Sequence, residues 1–138
     1  MLKYKLIDHT ADIGIDIFGS TMKELFSNAG YAMFDIITDL SSVDSKNSRT
    51  IAVEGIDREQ LLVNWLSELL YLHEVENILF KEFCIDKIED NRLVATLCGE
   101  PLDERKHIIK TGIKAVTYHN LSVKEENNRW KARVIFDL

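Results

Sequence analysis

Apolar residues recur at three- and four-residue steps from Thr21 to Asp39, at Met22, Leu25, Phe26, Ala29, Ala32, Met33, Ile36 and Ile37. That spacing gathers them on one face of a helix. Thr21-Met22-Lys23-Glu24 has the form of a capping box, in which hydroxyl and carboxylate satisfy end amides reciprocally. A second helix is predicted from about Arg58 to Asn77, with Asp57 and Gln60 as its box and a broad stripe of Leu61, Leu62, Trp65, Leu66, Leu69, Leu70 and Leu72. Period-two alternation predicts strands over 3–8 and 12–18, the latter with Ile13, Ile15 and Ile17 against Asp12, Gly14, Asp16 and Phe18. Further strands are predicted over 50–54, ahead of Gly55, and over 129–138, where Trp130, Ala132, Val134, Phe136 and Leu138 share a face. Residues 79–88 and 92–99 read as a hairpin turning at Asp90-Asn91, and 41–48 as a polar surface loop. The β-branched content of 113–125 favours a strand, with a helix through 107–118 as the alternative.

Both helices precede a long run of strands, an order that points to an α+β domain. We expect two amphipathic helices packed on one face of a largely antiparallel sheet, in a single domain spanning 1–138. A chain of 138 residues with 46% hydrophobic content buries enough surface to fold without disulfide or structural metal. No run of about 18 apolar residues occurs, and the opening residues lack the apolar stretch and cleavage site of a signal peptide. A cytoplasmic protein is expected, with no membrane partner.

Charge narrows the partners. The net charge of −6 and the absence of any basic run argue against a chain that grips nucleic acid by itself. Solubility or a basic protein partner accounts for the acidity. In an unbroken hairpin about Asp90-Asn91, odd positions pair with even ones, which sends Cys84 and Cys98 to opposite faces. They are expected as small buried thiols without a disulfide, and their spacing fits no zinc pattern.

Enzyme signatures are mostly absent: there is no Gly-rich phosphate loop, no GxSxG and no HExxH. What remains are polar side chains in turn-like places. Asp8-His9-Thr10-Ala11-Asp12 joins two predicted strands and offers two carboxylates to a hard divalent cation, or alternatively an Asx-type turn facing solvent. Asp137 stands beside the last residue, Leu138, and the strand ending there can lie beside the one beginning at Asp12. The alternative is a frayed polar terminus. Asp103, His107, Lys114 and His119 are candidate contacts for a metal, phosphate or partner, or exposed residues without a role. Four histidines without close spacing do not form a transition-metal site.

Taken together, several segments resemble the archease family: Asp8-His9-Thr10-Ala11-Asp12-Ile13-Gly14, Glu24-Leu25-Phe26 with Ala32-Met33-Phe34, and Leu62 to Tyr71. So do Gly99-Glu100 with Asp103 and His107, Ile113 to His119, and the closing Trp130, Ala132 and Asp137-Leu138. The resemblance runs in order from residue 4 to the end. It implies an α+β fold of strand-helix-strand-strand units, one inserted in the other. It also implies a non-catalytic accessory role toward the GTP-dependent tRNA-splicing ligase, promoting its guanylylation and multiple turnover, with tRNA met only through the ligase. A divalent metal, calcium first and magnesium or manganese as alternatives, is implied at Asp12, Asp137 and the main-chain oxygens of Leu138. Leu138 stands where isoleucine is more usual in the family. Two competing readings remain at this stage: a free-standing metal-dependent hydrolase using Asp8, His9 and Asp12, and a chaperone-like binding module.

Overall fold

The computed structural model describes residues 2–7 and 12–138. The elements run β1 (Tyr4–Ile7), β2 (Ile13–Gly19), α1 (Met22–Ile37), a 3-10 turn (Leu40–Ser42), β3 (Asn47–Glu54), α2 (Arg58–Glu76), β4 (Ile78–Glu89), β5 (Arg92–Pro101), β6 (Ala115–Val116), β7 (Ser122–Glu126) and β8 (Arg129–Asp137). All pairings are antiparallel, and the strands divide into two sheets. In the larger sheet β8 lies between β2 and a split partner: β7 covers its first half and β6 its last. The smaller sheet has the order β3-β5-β4. The unit β3-α2-β4-β5 is thus inserted between α1 and β6.

One core joins the layers. Ile15, Ile17, Val134 and Phe136 from the larger sheet meet Leu79, Leu97, Ala95 and Phe83 from the smaller one, with Leu25, Phe26, Met33, Trp65 and Leu66 of the helices between them. Trp65 is fully buried, and its indole N–H donates to the carbonyl of Phe26 at 2.9 Å, so the two helices share a polar contact inside an apolar layer. No helix among the described residues is long and apolar enough to cross a membrane.

Both helices begin with the same constellation. At α1 the Thr21 hydroxyl accepts from the Glu24 amide (3.1 Å), and the Glu24 carboxylate accepts from the amide of Ser20 (2.9 Å). At α2 Asp57 accepts from the Gln60 amide (2.8 Å), and the Gln60 side chain accepts from the amide of Ile56 (2.8 Å). Four residues further on, Asn28 donates to the carbonyl of Phe18 (2.7 Å) and Asn64 to that of Glu54 (2.8 Å), which ties each helix to the end of the preceding strand. Gly19 and Gly55 open the two motifs. A Cβ at either would come within 2.5 Å and 2.6 Å of the amide nitrogens of Leu25 and Leu61 respectively, so only glycine allows this strand-to-helix approach. The two capping boxes are legible in the sequence; the doubled strand-helix junction they belong to is not, because so few of its positions share a residue type.

Three expectations need correction. First, the hairpin is not an unbroken ladder. Ile88 pairs Leu93 near the turn, but a bulge between Ile85 and Lys87 shifts the register so that Cys84 pairs Thr96, and Glu82 pairs Cys98. One inserted residue turns the rest of β4 over relative to β5. Both cysteines therefore point to the same outward face, Cys84 exposed and Cys98 half-buried, and neither is the buried thiol expected. Asp86 sits in the bulge and accepts from the Thr96 hydroxyl at 2.7 Å. Second, 113–125 is not one strand, nor is it helical. It supplies β6 and β7 with a turn between them, in which Asn120 adopts φ 52° and the Thr117 hydroxyl donates to the Ile135 carbonyl. Third, 41–48 is not simply a surface loop. Val43 is fully buried and β3 already begins at Asn47.

Candidate metal centre and its surroundings

The β2–β8 ladder decides where the two ends of the sequence meet. Gly14 pairs Ile135 and Ile13 pairs Phe136. Carried one residue further, this register sets Asp12 opposite Asp137. Phe136 is buried, so by the alternation of a strand Asp137 faces outward, and it is exposed. Asp12 is half-buried and Leu138 is 38% exposed. On the far side of β8, β6 fixes the same end: Ala115 pairs Asp137, and the Lys114 amide donates to the Asp137 carbonyl at 2.8 Å. Asp137 is therefore held between two strands, and Lys114, exposed, stands at the same corner. His119 is exposed in the β6–β7 turn, where its amide donates to the Thr117 hydroxyl at 3.2 Å.

Directly opposed residues of an antiparallel pair have Cβ atoms about 4.5–5.5 Å apart. Two carboxylates at that separation, with main-chain oxygens of Leu138 following, form an all-oxygen donor set that suits calcium or magnesium and not a soft metal. Among the described residues no three His, Cys, Asp or Glu side chains are grouped closely enough to hold a metal by themselves. A cation here would take main-chain and water oxygens to complete its shell. Asp8 and His9 lie outside the described residues.

Asp103 and His107 belong to a second polar network, built around a residue to which sequence reasoning assigned no role. Glu100 is 3% exposed, and its carboxylate accepts from the Asp44 amide (2.8 Å), from Lys106 Nζ (3.0 Å) and from His107 Nε2 (2.9 Å). His107 is itself buried, and its Nδ1 accepts from the Asp103 amide at 2.9 Å. An accepting Nδ1 carries no proton, so this bonding assigns the neutral tautomer with hydrogen on Nε2, donating to Glu100. The Lys106 ammonium, together with the Asp44 amide and His107, holds the Glu100 carboxyl well below the usual carboxylate range. The knot joins the loop after β5 to the segment before β3. Beyond it, Thr38 at the end of α1 donates from its hydroxyl to the Ile108 carbonyl (2.7 Å), and the Lys110 amide donates to that of Ile37 (2.7 Å). His107 thus serves as a buried strut, while Asp103 accepts from the Arg105 amide in an Asx-type turn.

A third feature also escapes the sequence. Asp16 lies on the outward face of β2 yet is only 1% exposed, because Arg133, its cross-strand partner, covers it with a two-pronged ion pair at 2.7 and 3.0 Å. Hydrogen bonds from Arg133 lower the Asp16 pKa against the opposing effect of burial.

Comparison with known proteins matches residues 4–138 to the archease protein family. A protein archease of Methanosarcina barkeri is 41% identical over 140 residues, covering 99% of this chain and 96% of the relative. That of Pyrococcus abyssi is 39% identical over the full length of both. Among solved structures, a Methanobacterium thermoautotrophicum protein superposes with TM-score 0.83 at 38% identity, covering 99% of each chain. A Thermotoga maritima archease, described as a possible chaperone, shares the fold with TM-score 0.68 at 24% identity, covering 97% of this chain and 96% of its own. With a family match over nearly the whole chain and full-length relatives at this identity, the chain belongs to the archease family.

Proposed function

We propose that this archease is a non-catalytic, cytoplasmic accessory protein that activates a GTP-dependent tRNA-splicing ligase, promoting guanylylation and turnover of that enzyme. The observation that carries the reading is the β2–β8 register, which brings Asp12 opposite Asp137 at an outward corner also occupied by Lys114. Asp12, Asp137 and the Leu138 main chain would hold a divalent cation, calcium or in its place magnesium or manganese. The bound ion would supply positive charge between the carboxylates and so orient the corner for docking. Asp137 is positioned by β6 and by the Lys114 amide through its carbonyl, which leaves its carboxylate for the ion. The net charge of −6 suits docking on a ligase that must be basic to hold tRNA.

The test is ligase guanylylation measured with and without this protein, and with Asp12→Asn. Stimulation that disappears in the variant while its circular dichroism is unchanged supports the reading. Full stimulation by a folded Asp12→Asn protein at the same metal concentration overturns the role of this corner. A second reading, a chaperone-like module, is favoured by the description of the Thermotoga maritima relative as a possible chaperone. Suppressed aggregation of unrelated clients without any effect on the ligase would select it.

A further inference from the structure

Although no basic run exists in the sequence, folding assembles one. β8 turns Ala132, Val134 and Phe136 into the core, which leaves Arg129, Lys131 and Arg133 in line on the opposite face. Alternate residues of a strand are about 6.7 Å apart, a spacing comparable to that of successive phosphates in an extended polynucleotide. β7 adds Lys124 directly opposite Lys131 and Ser122 opposite Arg133. From the other side, Lys5 of β1 stands opposite Asp16. Like charges set directly opposite each other destabilise a sheet. Two carboxylates share this face: Asp16, which is occupied by Arg133 and lies 3.8 Å from Lys131, and Glu126, opposite Arg129 at the end of β7; among the described residues Lys124 forms no ion pair. No ion pair of Lys124 among those residues offsets its position opposite Lys131. Asp16, nearly inaccessible, pins one edge of the Arg133 guanidinium through Nε and Nη2, and the Nη1 N–H groups stay outside that ion pair.

Two depressions flank Lys131. One, of about 480 Å³, is lined by Asn120, Ser122, Lys124, Lys131 and Arg133, with Glu126 as its one carboxylate, so that donors predominate. The other, of about 660 Å³, is lined by Leu2, Phe18 and Trp130. Phe18 faces Lys131 across the β2–β8 ladder. The two depressions share Lys131 and Glu126. Cations in line beside an aromatic platform are the two components of a surface for unpaired nucleotides: charge follows the phosphates, and the ring stacks with a base.

We propose that this outward face binds a single-stranded segment of nucleic acid, with phosphates along Arg129, Lys131, Arg133 and Lys124 and one base resting on Phe18. The acidity of the rest of the chain is screened beyond about 10 Å at 0.1 M salt, so the local patch governs contact. Four phosphate contacts make the complex weak, in the micromolar range or above, which agrees with a protein that does not hold RNA by itself at physiological salt.

Anisotropy titration of a labelled single-stranded RNA of about eight nucleotides with the intact protein alone tests this, and so is independent of the ligase reading. Between 20 and 200 mM KCl, log affinity should fall against log salt with a slope of about −2.8, the value for four contacts on a single strand. K124Q with K131Q, both exposed and relieved of mutual repulsion, should halve that slope and weaken binding at least tenfold at 20 mM salt. Phe18→Leu should weaken binding about fivefold or more with the slope unchanged. Absence of binding at 20 mM salt, or undiminished binding by the folded lysine variant, overturns the proposal. So does equal affinity for a duplex of the same length, or tighter binding of polyglutamate, which would assign the face to an acidic protein segment.

Discussion

Removing the two helix caps tests the doubled strand-helix junction quantitatively. Thr21→Ala deletes one neutral acceptor for the Glu24 amide, a bond of 3.1 Å at an exposed position, and should cost about 1 kcal/mol. Asp57→Ala deletes a shorter bond, 2.8 Å to the Gln60 amide, and also a negative charge at the positive end of α2. With about 0.5 kcal/mol from the helix dipole added, its cost should be about 1.5 kcal/mol. The two caps share no partner, so the double variant should lose the total, about 2.5 kcal/mol. A chain of this length unfolds with an entropy of about 0.29 kcal/mol/K, so the double variant should melt about 9 °C lower. Urea denaturation followed by circular dichroism should show a lower midpoint and an unchanged slope. Gly55→Ala provides the contrast. Its Cβ would meet the backbone nitrogen of Leu61 at 2.6 Å, where no side chain can move aside, so it should cost more than either cap variant. A double cap variant that loses less than about 1 kcal/mol, or a Thr21→Ala more damaging than Asp57→Ala, would refute this account of the junctions.

Three further outcomes are expected. Asp12→Asn should weaken calcium binding at least tenfold by calorimetry while leaving the far-ultraviolet spectrum unchanged; unaltered affinity would remove Asp12 from the ligand set. The Glu100 pKa is depressed on folding, first by Lys106, so its stabilising effect is complete above the unfolded value of about 4.3 and is lost as pH falls toward the folded value. The destabilisation caused by Glu100→Gln should accordingly shrink between pH 7 and pH 3 in urea titrations, and a penalty that grew on acidification would contradict the network. Both cysteines should react with a thiol reagent in unfolded, unreduced protein, and in the native state Cys84 should react faster than Cys98; a missing thiol would contradict the structure, in which both are free.

The helices were legible because their signals are local. Apolar spacing in Leu25, Phe26, Ala29 and Met33 and the boxes at Thr21 and Asp57 all lie within a few residues, where backbone geometry relates sequence to face directly. The inward face of β8 was legible for the same reason, through Ala132, Val134 and Phe136. Alternation loses its authority where a ladder is interrupted: the bulge at Asp86 brought Cys84 to the same face as Cys98, and the turn at Asn120 divided one predicted strand into two. Nothing local says which strands become neighbours. The meeting of Asp12 with Asp137, the burial of Asp16 beneath Arg133, and the enclosure of Glu100 by Lys106 and His107 all depend on which strands and loops the fold brings together. The same holds for charge. A chain of net charge −6 carries a basic line on one face because strand parity, set by what β8 buries, sorts Arg129, Lys131 and Arg133 outward together. Composition averages over faces, and only the packed sheets separate them.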